Sequence, residues 1–190
     1  MRRIVKFLKY LLFYKIFFKR CGYMPFIISP IRISYKNITI GNRVIILNNA
    51  RIEAVRRYNN NYFDPSIIIS DGVSIQQNVH LTCANSVFIG KNTAIASNVT
   101  ITDIIHPYQD VNKPIEHHDI ITIPVTIGDD CKIYNNSVIL PGTTIGKHCV
   151  IGANSVVSGK IPDYCVVVGS PARIVKSYDS LSGEWIVISK

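Results

Sequence analysis

Histidine is the residue type in this chain best suited to move a proton at neutral pH, because its ordinary pKa lies near neutrality. A hydroxyl group that acts as a nucleophile must lose its proton, so one histidine beside a groove would serve as a general base. If the attacked group is a carbonyl, a hydrogen-bond donor for the developing oxyanion would complete the site. The 190-residue sequence offers five candidates for the base, at His80, His106, His117, His118 and His148.

The elements that must position such a residue are indicated by a six-residue period of aliphatic side chains. This period fits neither an α-helix nor an ordinary amphipathic strand, but it fits a short strand and a polar corner, repeated. Stacked repeats of this kind form a solenoid, in which each repeat buries its aliphatic residue against its neighbours. The period is uninterrupted at Ile127, Ile133, Ile139, Ile145, Ile151 and Val157, and it recurs at Ile40, Ile46 and Ile52, at Ile69, Ile75 and Leu81, and at Ile89, Ile95 and Ile101.

Two stretches interrupt the period, and insertions in a solenoid form surface loops that often hold function. The first lies between Ile52 and Ile69 and is rich in polar residues. The second lies between Ile101 and Ile121 and holds three of the five histidines. We therefore predict a protruding loop over residues 102–120.

The net charge of +9 comes from the N-terminal part of the chain, since residues 1–43 contain ten Lys or Arg and no acidic residue. We predict that residues 1–30 form a basic amphipathic segment with a helix. Lys15, Lys19 and Arg20 interrupt its apolar run, which argues against a transmembrane helix or a signal peptide. The segment either rests on an anionic membrane surface or packs on the protein or its neighbour, and no nucleic-acid partner is expected. The predicted apolar face consists of Ile4, Phe7, Leu8, Leu11 and Phe18.

The five cysteines show no Cys-x-x-Cys pair and no spacing typical of a metal site. Their odd number and the lack of an export signal favour a protein of the reducing cytoplasm. We expect it either free in the cytoplasm or peripheral at the inner face of the cytoplasmic membrane. The four cysteines of the repeat region are predicted to pack as small apolar residues, at Cys83, Cys131, Cys149 and Cys165.

The pairing of an aliphatic residue with glycine resembles the repeat of the hexapeptide-repeat acyltransferases. That resemblance implies an all-β solenoid, a left-handed parallel β-helix with three flat walls per coil. Left-handed connections between parallel strands are rare, so the handedness is an implication of the resemblance. The implied domain covers residues 31–176, with a C-terminal tail at 177–190. The pairs are Ile40-Gly41, Ile89-Gly90, Ile127-Gly128, Ile145-Gly146 and Ile151-Gly152.

The motifs around the second insertion resemble those of maltose, galactoside and polysaccharide O-acetyltransferases. In these enzymes a His-Pro pair leaves the coil before an extended loop, and its histidine is the general base. Here the pair is His106-Pro107, followed by Pro-Val-Thr-Ile-Gly at 124–128 and Leu-Pro-Gly-Thr-Thr-Ile-Gly at 140–146. The resemblance implies that His106 is the base, with a loop histidine without chemistry as the alternative. Asp103 is a candidate for orienting His106, with a corner residue as its alternative.

The residues expected to bind the acceptor substrate are implied by a weaker motif. The segment 75–82 resembles polysaccharide O-acetyltransferases of the O-antigen and capsule type, which implies acceptor binding by Asn78 and His80. The alternative is that both residues are surface positions of the wall. Where the family has Trp-Ile-Gly, this chain has Lys132-Ile133-Tyr134, so Lys132 and Tyr134 are expected to alter the acceptor pocket. We interpret the other three histidines as surface residues, at His117, His118 and His148.

The binding site for the acyl donor is implied by the end of the repeat region. There Gly-Ser-Pro-Ala-Arg at 169–173 resembles the C-terminal signature of the acetyl-CoA-dependent hexapeptide-repeat acyltransferases. In that family coenzyme A lies in a groove between two adjacent solenoids. Arg173 and Lys176 would meet its phosphates, with a solvated basic tail as the alternative. Lys160 stands one position away from the phosphate-contacting lysine of the family. The remaining implied contacts to coenzyme A are Asn135, Ala153 and Ser158.

The sequence thus predicts an acetyl-CoA-dependent O-acetyltransferase that acts on a sugar hydroxyl of a surface polysaccharide or its precursor. The resemblance also implies a homotrimer, and no metal is expected. One alternative is a zinc hydratase similar to the γ-class carbonic anhydrases, although the His-Gly-x-x-x-x-His spacing of that class is missing. The other alternative is a non-catalytic scaffold or membrane-binding module with a degenerate site.

Overall fold

The computed structural model describes residues 10–188, and the repeat region forms a parallel β-helix with three walls. Wall A consists of Arg20–Cys21, Ile38–Ile40, Ser66–Ile69, Ser86–Ile89, Val125–Ile127, Thr144–Ile145 and Lys160–Ile161. Wall B consists of Phe26–Ile27, Ile45–Ile46, Ser74–Ile75, Ala94–Ile95, Lys132–Ile133, Val150–Ile151, Cys165–Gly169, Ala172–Asp179 and Glu184–Val187. Wall C consists of Arg32–Ile33, Arg51–Ala54, His80–Cys83, Thr100–Thr102, Val138–Ile139 and Val156–Val157.

The predicted six-residue period is confirmed by the strand register. Ile127 pairs with Ile145 on wall A, and Ile139 pairs with Val157 on wall C. Wall B follows the same rule, because Ile133 pairs with Ile151. All of these side chains are at most 1% exposed, so each wall contributes one aliphatic column to the interior. Because each coil covers the aliphatic residues of the next, the core runs the length of the solenoid.

The corners explain why glycine and asparagine recur in the sequence. A Cβ atom on Gly128 would lie 2.6 Å from the carbonyl carbon of Gly146 in the next coil, so the stacked backbones leave no room for a side chain. At the turn from wall B to wall C, which we call the B–C corner, four stacked asparagines adopt a left-handed conformation that asparagine tolerates well. Each donates its side-chain amide to the next at 3.0–3.1 Å, in the order Asn78, Asn98, Asn136 and Asn154.

The N-terminal helical segment is short and packs on the first coil. It comprises a π-helical turn at Tyr10–Tyr14 and an α-helical turn at Lys15–Phe17. Tyr14 and Phe18 are 8% and 4% exposed, and the Phe18 ring lies 4.9 Å from that of Tyr35 in an edge-to-face arrangement. Phe18 therefore packs on the protein itself. Of the other members of the predicted apolar face, Ile4, Phe7 and Leu8 lie outside the described residues, and the side chain of Leu11 is not described.

The β-helix begins earlier in the sequence than position 31. Arg20–Cys21 pairs with Thr39–Ile40 on wall A, and Phe26–Ile27 pairs with Ile45–Ile46 on wall B. The strand at Arg32–Ile33 then completes the first coil. A 3₁₀ turn at Tyr35–Asn37 leads into the second coil. Within residues 10–188, no helix is long and apolar enough to cross a membrane.

The C-terminal end of the solenoid is covered by antiparallel strands. Ala172–Asp179 pairs with Cys165–Gly169, and Glu184–Val187 pairs with Ala172–Asp179. The segment 177–190 therefore contributes to wall B as far as it is described. The thiols of Cys83, Cys131, Cys149 and Cys165 are buried and free, as the packing interpretation requires.

Both interruptions of the period are small antiparallel hairpins at the turn from wall C to wall A, which we call the C–A corner. The first insertion pairs Arg57–Tyr58 with Asn61–Tyr62. The second pairs Ile104–Ile105 with Ile121–Thr122 and includes a 3₁₀ turn at Ile115–His117. Ile121 belongs to the hairpin and is 50% exposed, so the wall resumes at Val125–Ile127 and not at Ile121.

Replacing Ile139 with valine tests the interior column. The side chain is fully buried between Ile101 and Val157, so we expect the loss of one methylene to lower the free energy of unfolding by about 1 kcal/mol. Ile121→Val is the matched control at a half-exposed position and should change stability by less than about 0.5 kcal/mol. Urea unfolding measures both values, and equal effects of the two substitutions would contradict the assignment of the column.

Candidate active site

His106 leaves the solenoid at the C–A corner. Wall C ends at Thr102, and the chain continues through Asp103 into the two-residue strand Ile104–Ile105. Antiparallel pairing with Ile121–Thr122 fixes this strand, so His106 stands at the end of an ordered element and not in the middle of a free loop. Its side chain is half-buried.

A tyrosine from the first insertion faces the ring of His106. The two rings lie 5.3 Å apart at an interplanar angle of 76°, an edge-to-face arrangement. The Tyr58 hydroxyl oxygen lies 3.4 Å from Nδ1 of His106, which is a long hydrogen bond. The two interruptions of the six-residue period therefore meet at one site. Both insertions leave the C–A corner, from coils that lie two apart, or about 10 Å along the solenoid. This shared corner was the signal available in the sequence.

Glu116, in the second insertion, holds the hydroxyl group of Tyr58. The hydroxyl oxygen of Tyr58 lies 2.8 Å from Oε2 of Glu116 and 3.0 Å from the backbone oxygen of Glu116. The hydrogen bond to Glu116 raises the pKa of Tyr58, with smaller contributions from burial and from the charge of Glu116. Asn59 donates its amide to the backbone oxygens of Glu116 and His118, at 3.4 Å and 3.1 Å. Tyr58 and Glu116 are site residues that the sequence interpretation missed.

Asp103 does not face His106, and the prediction that it orients the base is corrected here. Its side chain is fully buried, and its oxygens accept hydrogen bonds from three backbone N–H groups, each at 2.8 Å. The donors are Ala84, Asn85 and Ser86, and the thiol of Cys83 lies 3.3 Å from the same carboxylate. Because this turn belongs to the preceding coil, Asp103 ties two coils together. Its contacts fit the alternative of a corner residue.

The two residues predicted for acceptor binding differ in their surroundings. Asn78 is the first of the four stacked asparagines, and its side-chain amide donates a hydrogen bond to Asn98 within the B–C corner. His80 lies on wall C between Arg51 and Thr100, in the coil before the one that leads to His106. Burial lowers the pKa of His80, and the charge of Arg51 lowers it further while Glu53 opposes the shift. His80 is therefore a half-buried wall residue whose neutral form is favoured.

The residues predicted for the donor fall into two groups on a single chain. Ser158 is exposed at the C–A corner two coils beyond His106, and Lys160 is exposed at the start of the wall A strand that follows this corner. Asn135 and Ala153 lie at the B–C corner, at the opposite edge of wall C. One chain therefore does not bring His106 together with Asn135 and Ala153.

The remaining predicted contacts lie on wall B. The ammonium group of Lys132 lies 5.4 Å from the ring centre of Tyr134, which is 43% exposed. Arg173 and Lys176 are exposed on the strand Ala172–Asp179. Among the described residues, no cluster of three or more His, Cys, Asp or Glu side chains is arranged to hold a metal ion.

Comparison with known proteins agrees with this architecture. Residues 124–159 match the family described as bacterial transferase hexapeptide (six repeats). Over 126 residues the chain is 36% identical to the "Putative lipopolysaccharide biosynthesis O-acetyl transferase" of Escherichia coli K12, covering 63% of this chain and 64% of that protein. The chain thus spans less than two thirds of the length of this relative.

Solved structures show the same fold. A maltose O-acetyltransferase from Clostridium difficile 630 is 29% identical with a TM-score of 0.57, covering 88% of this chain and 73% of that chain. A hexapeptide-repeat acetyltransferase from Vibrio cholerae, solved with acetyl-coenzyme A, is 26% identical with a TM-score of 0.58, covering 90% of this chain and 77% of that chain. Residues 124–159 thus match the hexapeptide repeat of bacterial transferases, and over most of its length the coil is similar to the left-handed parallel β-helix of the hexapeptide-repeat acetyltransferases.

Proposed function

We propose that the protein transfers an acetyl group from acetyl-CoA to a sugar hydroxyl of a surface polysaccharide or its precursor. The observation that carries this proposal is the placement of His106 on a hairpin that leaves the coil, with Nδ1 faced by Tyr58. Within the described part of the chain, no other group hydrogen-bonds the ring, so Nε2 is available to a substrate. The similarity to O-acetyltransferases, one of which is named for lipopolysaccharide biosynthesis, supports a sugar as acceptor.

The chemistry needs one proton to move twice. Nε2 of His106 removes the proton of the acceptor hydroxyl while the hydroxyl oxygen attacks the thioester carbonyl. A new C–O bond forms, the C–S bond breaks, and His106 returns its proton to the departing thiolate. The products are an acetyl ester and the free thiol of CoA, without a covalent acyl-enzyme. Backbone N–H groups or an asparagine amide would stabilise the oxyanion.

The split of the predicted residues between two corners supports a site shared by two copies of the chain. His106 of one copy would face Asn135 and Ala153 of a neighbour, while Arg173 and Lys176 would hold phosphates. A closed ring of three copies makes three such grooves. Light scattering should return a mass three times that of the 21.3 kDa chain, and a monomer mass would contradict a shared site.

The function is tested by measuring the thiol of CoA released from acetyl-CoA with a panel of acceptors. The panel should contain nucleotide sugars, a lipid-linked sugar and an isolated polysaccharide. The proposal predicts release that depends on a hydroxylated acceptor. Calorimetry with CoA alone separates the alternatives, because a non-catalytic scaffold would bind no CoA. A folded protein that neither binds CoA nor releases it from acetyl-CoA would overturn the proposal.

We also propose that the N-terminal segment contacts an anionic membrane surface. Leu12 and Ile16 lie one turn apart and are 69% and 70% exposed, next to Lys15 and Lys19. Exposed apolar side chains flanked by basic ones are typical of interfacial helices. Serine at both Leu12 and Ile16 should weaken sedimentation with phosphatidylglycerol vesicles about ten-fold or more. Leu181→Ser, at a side chain 96% exposed, is the matched control, and equal losses would contradict this contact.

A further inference from the structure

The hydroxyl group of Tyr58 has one proton and three neighbours that compete for it. Two of them are oxygens of Glu116, the carboxylate Oε2 at 2.8 Å and the backbone oxygen at 3.0 Å. The third is Nδ1 of His106 at 3.4 Å. A backbone carbonyl and an ionised carboxylate can only accept a hydrogen bond. If the proton pointed to His106, both oxygens of Glu116 would face the hydroxyl oxygen at close range without a hydrogen between them.

The hydroxyl of Tyr58 therefore donates to Glu116, and its free lone pair points to Nδ1 of His106. This arrangement is satisfied only when Nδ1 carries a hydrogen. A neutral imidazole with its hydrogen on Nδ1 has its basic lone pair on Nε2. That nitrogen is the one available to a substrate, so the contact selects the tautomer in which the available nitrogen is the base.

We propose that Tyr58 is a positioning residue that fixes His106 in the Nδ1–H tautomer, and that Glu116 holds Tyr58 in the required orientation. The edge-to-face packing of the two rings at 5.3 Å restricts the rotation of the imidazole as well. When His106 has taken up a proton, Nδ1 still donates to Tyr58, and the negative charge of Glu116 lies behind that hydroxyl. The inference rests on the proposed function for its effect on turnover, but the tautomer itself needs no substrate.

The arrangement also gives a role to the first insertion. Tyr58 lies in the first strand of its hairpin, and Asn59 at the hairpin turn donates to the backbone of the second insertion. The first insertion thus anchors the loop that holds Glu116.

The test combines nitrogen NMR with steady-state kinetics. Protein labelled with ¹⁵N in histidine reports the tautomer of each neutral imidazole, and comparison with a His106→Gln sample assigns the signals of His106. In the wild type we expect a hydrogen on Nδ1 and an unprotonated Nε2. Tyr58→Phe retains the ring but removes the oxygen, so the Nδ1–H population should fall. Turnover should fall about 10–100-fold with little change in KM, because outer partners of a reactive histidine have effects of this size.

Two further variants sharpen the test. Tyr62→Phe is the matched control in the same hairpin, since Tyr62 is 77% exposed and its ring packs near Arg57. It should leave the tautomer and turnover unchanged. Glu116→Gln retains an acceptor oxygen for Tyr58 but removes the charge, so the tautomer should persist while turnover falls less than in Tyr58→Phe.

A wild type with its hydrogen on Nε2 of His106 would overturn the inference, and so would a folded Tyr58→Phe variant with an unchanged tautomer. A protein that shows the tautomer shift but transfers no acetyl group would retain the positioning role and reject the proposed function. The two failures are therefore distinguishable.

Discussion

Replacing His106 with alanine is expected to lower the turnover number about 10²–10⁴-fold, which is the usual contribution of a general base. The imidazole lies at the end of a paired strand and is not part of the aliphatic core, so the variant should fold normally. The KM for acetyl-CoA should change little, because the donor contacts proposed above lie elsewhere. Release of CoA with a saturating acceptor measures the effect.

His117→Ala is the matched control for this experiment. His117 is exposed in the same insertion, within the short turn Ile115–His117, and it has no place in the proposed chemistry. Its turnover should stay within about two-fold of the wild type, which is the scale of a neutral surface substitution. A folded His106→Ala variant with the same turnover as His117→Ala would remove His106 from the mechanism.

Replacing Asp103 with alanine should lower the stability of the fold, because Asp103 has a structural role. Three backbone N–H groups would lose their acceptor in or near the interior, and each such loss is expensive. We expect the free energy of unfolding to fall by about 3–5 kcal/mol. Urea or thermal unfolding of the variant measures this loss, and circular dichroism shows whether the coil remains.

Asp119→Ala provides the comparison, because Asp119 is an exposed acid near the end of the same insertion. It should change stability by less than about 0.5 kcal/mol. An Asp103→Ala variant as stable as Asp119→Ala, but with greatly reduced turnover, would contradict the structural role and restore the prediction that Asp103 orients His106.

The walls of the solenoid were predictable because the interior positions repeat with a fixed period. Ile127, Ile133 and Ile139 follow each other at the fixed period, and each pairs with the residue three periods later in the next coil, as a coil of three walls requires. The first coil was missed since it is basic and aromatic and its strands contain no aliphatic-glycine pair. Arg20–Cys21 and Phe26–Ile27 are strands because the second coil offers them partners.

The site was predictable only where its residues follow each other along the chain. His106 could be found from a His-Pro pair at a break in the period. Tyr58 and Glu116 are far apart in sequence and meet because two insertions leave the same corner of coils two apart. Asp103 was misinterpreted because proximity in sequence to His106 does not fix the direction of its carboxylate, which faces the preceding coil.

The most direct test of the central claim is to identify the product made from acetyl-CoA labelled in the acetyl group. Purified protein, labelled acetyl-CoA and the acceptor that gives the highest CoA release should be incubated, and the sugar recovered. We expect one label to be transferred per CoA released, in an ester that mild alkali removes, and no transfer by His106→Ala. A label held in an alkali-stable amide, or equal transfer by the wild type and His106→Ala, would contradict this expectation.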